Sequence, residues 1–98
     1  MKEFKGVNGD KVTVKNDGTI LVQELWFLKK TFAISDITEL GYKEYGLFYN
    51  GAVNITLGKA EPKPMKLEIA FGKQNRTAFR ELYQLLCART GLPVQVNF

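Results

Sequence analysis

GKQNRTAFRELYQLLCARTG, residues 72–91, is the one long segment of this chain with a helical period. Ala78, Phe79, Leu82, Tyr83, Leu85 and Leu86 recur at offsets of three and four, which places them on one broad arc of a 3.6-residue helix. Arg76, Thr77, Arg80, Glu81 and Gln84 fall on the opposite, wet arc. The stop is well marked. Arg89 suits the carbonyl end of a helix, Gly91 accepts a left-handed C′ conformation, and Pro93 forbids continuation. The start is less sharply written: Gly72 and Asn75 are both acceptable caps, neither opens a capping box, and the first turn falls between Lys73 and Arg76.

Working outward, the preceding residues read as short strands and turns. Met65, Leu67, Ile69 and Phe71 alternate with Lys66, Glu68 and Ala70, a clean half-buried strand that feeds the helix. Val53, Ile55 and Leu57 alternate likewise, and Gly58–Pro64 between the two is a polar loop. Tyr45-Gly46 and Asn50-Gly51 flank Leu47-Phe48-Tyr49, where residues tolerant of positive φ suggest a bulge or tight bend. Ile37, Leu40 and Tyr42 form a strand after a corner at Ser35-Asp36. Phe32 and Ile34 form a short return strand, entered through a turn at Lys29-Lys30. Leu25, Trp26, Phe27 and Leu28 end the strand from Thr19 with large apolar side chains on both faces. At the start of the chain, the turn Asn8-Gly9-Asp10 separates a strand near Phe4 from one at Lys11–Lys15, and the turn Asn16-Asp17-Gly18 leads on to Thr19. About seven short strands and one helix predict a mainly β, antiparallel barrel or sandwich capped by the helix.

The 98 residues make one domain over 1–91, with 92–98 a tail whose Val94, Val96 and Phe98 alternate as an extra edge strand would. Met1 favours a native start. No apolar run approaches the ~18 residues of a membrane helix, which argues against an integral membrane protein. The opening MKEFKG lacks the apolar core of a secretory signal, and one cysteine makes no internal disulfide. Both favour a reducing compartment, the cytoplasm. Fourteen basic against ten acidic residues leave a net charge of +4, spread along the chain, which argues against nucleic acid as a partner.

No catalytic constellation is written in the chain. It has no histidine, and Cys87 stands without an imidazole partner at the edge of the apolar arc, where a small boundary residue fits. Asp10, Asp17 and Asp36 sit at turns, where aspartate is locally useful. The expectation is therefore no enzyme, no metal and no cofactor.

Two binding classes follow. Twelve per cent of the chain is aromatic, more than a small barrel needs inside it. Trp26, Phe27, Tyr45, Phe48 and Tyr49 are thus candidates for a surface that binds a protein partner or a second copy. Lys73, Arg76 and Arg80, at the helix start, are candidates for an anion site or a peripheral lipid contact.

The order of strands, Ile34-Ser35-Asp36-Ile37, Leu47, Asn50-Gly51, a strand ending at Phe71, then Lys73-Gln74-Asn75 with Phe79, Leu82 and Leu86, resembles the bacterial pleckstrin-homology-like domains. It is similar above all to a group of small bacterial domains sharing that pattern, from Met1 to about Arg89. The resemblance implies two near-orthogonal sheets in a seven-stranded barrel capped by the C-terminal helix. Gly51 would match the family glycine at a bend, and Phe79 the phenylalanine that docks the helix. It implies no active site. Family members that bind phosphoinositides use closely spaced basic residues in the first hairpin, where this chain has only Lys5, Lys11 and Lys15.

Overall fold

The computed structural model describes residues 1–25, 28–61 and 63–96. Its strands are β1 (Lys2–Lys5), β2 (Lys11–Val14), β3 (Thr19–Glu24), β4 (Leu28–Ala33), β5 (Glu39–Lys43), β6 (Gly51–Leu57) and β7 (Met65–Phe71). They form two antiparallel sheets, β1-β2-β3-β4 and β5-β6-β7, followed by one helix, α1 (Arg76–Thr90). Local chemistry explains the hairpins. Asn8 (φ 56°) and Gly9 (φ 81°) are both left-handed, and Asp10 N–H closes the turn on the Val7 carbonyl at 3.0 Å. At the next turn Gly18 has φ 84°, and Asp17 accepts the Thr19 hydroxyl at 2.6 Å and its N–H at 3.1 Å.

Alternation then sets the faces. Phe4 pairs with Val12, Val12 with Val22 and Val14 with Ile20, all pointing inward. On the other sheet Leu40, Ile55 and Leu67 form one inward row, and Val53 pairs with Ile69. Phe79, Leu82, Tyr83, Leu86 and Cys87 of α1 complete this core. Phe79 stacks on Phe71 with ring centroids 5.1 Å apart, and Tyr42 lies 5.4 Å from Phe71 and 5.8 Å from Tyr83. The helix starts through a 3-10 turn at Lys73–Asn75. There the Asn75 side chain accepts the Gly72 N–H at 3.2 Å and donates to the Lys5 carbonyl at 3.0 Å. It ends as its sequence predicts, with Gly91 at φ 76° and its N–H on the Cys87 carbonyl at 2.9 Å.

Several expectations need correction. Lys29 and Lys30 are not a turn but lie within β4, paired with Gln23 and Val22. The reversal comes earlier, where Leu25 takes φ 54°. Gly46, Asn50 and Gly51 have no positive φ. Gly51 instead opens β6, where a Cβ would sit 2.5 Å from the Phe71 ring. Cys87 is buried, not a boundary residue. Residues 92–96 form no strand. Pro93 has no N–H to give a ladder, and the Gln95 N–H goes to the Tyr83 hydroxyl at 3.0 Å. Phe98 lies outside the described residues.

The described strands stay in two sheets and do not close into one barrel. Where β1 and β2 meet β7, the Val7 N–H reaches the Ala70 carbonyl at 3.0 Å, and a side chain, Asp10, takes the Ala70 N–H at 2.9 Å. Among the described residues no helix is long and apolar enough to cross a membrane.

Candidate interaction surface

The segment between β5 and β6, residues 44–50, has a root and a tip. Glu44 is the root. Its carboxylate accepts from Arg76 Nε at 3.1 Å, from Arg80 Nη2 at 3.0 Å and from the Tyr42 hydroxyl at 3.1 Å. Arg76 and Arg80, four residues apart, face the same way on α1, so one acid meets both. Burial pulls the Glu44 carboxyl upward, but the hydrogen bonds from Arg80, Arg76 and Tyr42 together outweigh it and hold it below the usual carboxylate range. Arg76 also lies over the Tyr45 ring, 5.6 Å from its centroid. The Gly46 N–H closes on the Tyr49 carbonyl at 2.9 Å, and Lys43 Nζ lies 5.0 Å from the Tyr49 centroid.

The tip carries Leu47, Phe48 and Tyr49, whose exposures are 89%, 92% and 58%. Among the described residues no other large apolar side chain is as exposed as Phe48. An isolated exposed leucine needs no explanation, but three consecutive large side chains held out on a loop form a patch. The root is itself part-exposed, with Glu44 at 39%, Arg76 at 41% and Arg80 at 29% side-chain accessibility. Solvent-screened pairs of this kind contribute about 1 kcal/mol or less each.

The sequence candidates therefore separate. Phe48 and Tyr49 are at the tip, with Leu47 joining them. Tyr45 is half-buried and packs against the core beneath Arg76. Trp26 and Phe27 lie outside the described residues. Of the basic trio, Arg76 and Arg80 come together on Glu44, while Lys73 is exposed on the 3-10 turn that precedes the helix. Sequence reasoning missed Glu44. Its signal was electrostatic: the first turn of α1 has no acidic residue and two arginines near it, at the end of a helix dipole that favours anions. A carboxylate from elsewhere in the chain complements such a segment.

Asp10 was also missed. It is 7% exposed, and both its oxygens accept backbone N–H groups, from Leu25 at 2.7 Å and Ala70 at 2.9 Å. Two surface hollows of about 680 and 670 Å³ share Ala33 and Lys59. Both mix acids with cations, Asp17 with Arg89 in one and Asp36 with Lys30 in the other. The candidate surface is the exposed loop tip rather than either hollow. In comparisons with protein-family models, curated proteins and solved structures, the chain matches none.

Proposed function

We propose that this chain is a non-catalytic interaction module with a pleckstrin-homology-like fold, and that it contacts a protein partner through Leu47, Phe48 and Tyr49. The observation that carries this reading is the outward display of three large apolar side chains on a loop whose root is fastened to α1. Two sheets in a 4-3 order with a C-terminal helix across them support the fold part of the reading. Apolar anchors on a pre-set loop lose little freedom on docking, which favours their use as contact residues.

A second copy of the chain is the simplest partner to test. Sedimentation equilibrium at rising concentration should show reversible association that Phe48→Asp abolishes at unchanged Tm. A wild-type chain that stays monomeric throughout removes the homomeric reading. Association that survives Phe48→Asp removes the tip as its contact. A second reading is an anionic ligand at Lys73, Arg76 and Arg80; one observation favours it for the two arginines, whose guanidiniums share a single carboxylate.

A further inference from the structure

We propose that Glu44 is an internal competitor seated in an anion site made by Arg76, Arg80 and the Tyr42 hydroxyl, and that a phosphate monoester displaces it and loosens the root of the 44–50 loop. This rests on the anionic-ligand reading and adds to it what now fills the site and what its removal does.

Convergence comes first. Donors from two elements, Tyr42 on β5 and Arg76 and Arg80 on α1, meet on one carboxylate at 3.0–3.1 Å. That arrangement already recognises an oxyanion, and guanidinium forks suit phosphate as well as carboxylate. Charge comes second. Two cations face one anion, and a phosphate monoester, with a charge of about −1.5 to −2 near neutral pH, matches them better than a single carboxylate does. The helix start adds its own preference for an anion.

Access comes third. All three charged side chains are part-exposed, so water-borne phosphate can reach the guanidiniums without unfolding anything. Connectivity comes fourth. Glu44 is the first residue after β5, so its carboxylate ties the loop root to α1. With the arginines taken by phosphate, that tie is gone, and Tyr45 packing and the Gly46–Tyr49 bond remain. Phosphate and loop release are then coupled, and the coupling is reciprocal.

The tethered carboxylate competes at an effective concentration of roughly millimolar or more, which weakens the wild-type site for a free ligand. Inorganic phosphate is the probe, titrated against the chain with the backbone amide signals of Arg76, Arg80 and Gly46 followed by NMR. Saturable shifts at all three positions are expected, with Glu44→Gln binding several-fold, up to about tenfold, more tightly than wild type. The double variant Arg76→Gln/Arg80→Gln should not bind. Hydrogen exchange at 45–50 in the wild type, with and without phosphate, reads loop release directly and needs no variant.

Phosphate that binds neither wild type nor Glu44→Gln, or shifts that chloride reproduces at equal ionic strength, overturn the anion site itself. Phosphate that binds both chains equally overturns only the internal competition. Binding without faster exchange at 45–50 overturns the coupling. Phenyl phosphate against vesicles containing phosphatidic acid separates a soluble source of the phosphate from a lipid one, and binding to either supports the site. None of these outcomes depends on association through Phe48.

Discussion

The Asp10 carboxylate accepts the Ala70 backbone N–H at 2.9 Å and so fastens the first turn of one sheet to the last strand of the other. Its second oxygen takes the Leu25 N–H at 2.7 Å, at a residue held in a left-handed conformation. Hydrogen bonds to a charged group contribute about 1.5–3 kcal/mol each, and a buried donor left without a partner adds a penalty. Asp10→Ala should therefore cost about 3 kcal/mol or more in urea unfolding, and Asp10→Asn clearly less, because its one oxygen still accepts. An Asp10→Ala chain as stable as wild type would show that the two sheets do not rely on this side chain.

Phe79 and Phe48 should behave as opposites. Phe79 is fully buried against Phe71, so Phe79→Ala removes a core ring and should cost about 3–5 kcal/mol. Phe48 is 92% exposed, so Phe48→Ala should change stability by less than about 0.5 kcal/mol. Parallel thermal melts check both. Equal losses in the two variants would mean that the tip packs against something in solution.

Gly51→Ala should destabilise through crowding rather than backbone strain. A Cβ there would lie 2.5 Å from Phe71 Cζ and 2.7 Å from the Lys43 carbonyl oxygen. Inserting a methyl group into such a packed site costs about 1–3 kcal/mol. A neutral substitution in chemical denaturation would show that the Phe71 ring can shift without loss.

Two glutamates should pull the pH dependence of stability in opposite directions. Glu44 is held below its ordinary value, so its contribution is present above that value and is lost as pH falls through the lower folded one. Glu24 is pushed up, first by burial and then by the Asp10 and Glu68 carboxylates. Its ionised form is disfavoured in the fold, so stability declines as pH rises from the ordinary glutamate value through the raised one. Glu24→Gln should therefore raise Tm at pH 7, and Glu44→Gln should flatten the loss below about pH 4.5, the ordinary glutamate value. Melts of both variants from pH 3 to 8, on the scale of about one or two degrees per few tenths of a kcal/mol, check the signs.

Local pattern alone determined a good deal of this molecule. Asn8-Gly9 and Gly18 specify the first turns because positive φ is cheap there, and alternation on β6 and β7 decides which side chains enter the core. The 3.6-residue period of α1 and its Gly91 stop are equally local. Tertiary structure decided the rest, because a polar side chain's partner is set by where the chain returns. Asp10 meets Ala70 sixty residues away, and Glu44 meets Arg76 thirty-two residues away. Tyr45 turns inward and Phe48 outward in a loop that has no period to assign faces. Lys29 and Lys30 read as a turn, yet exposed edge-strand positions on β4 accommodate their charges.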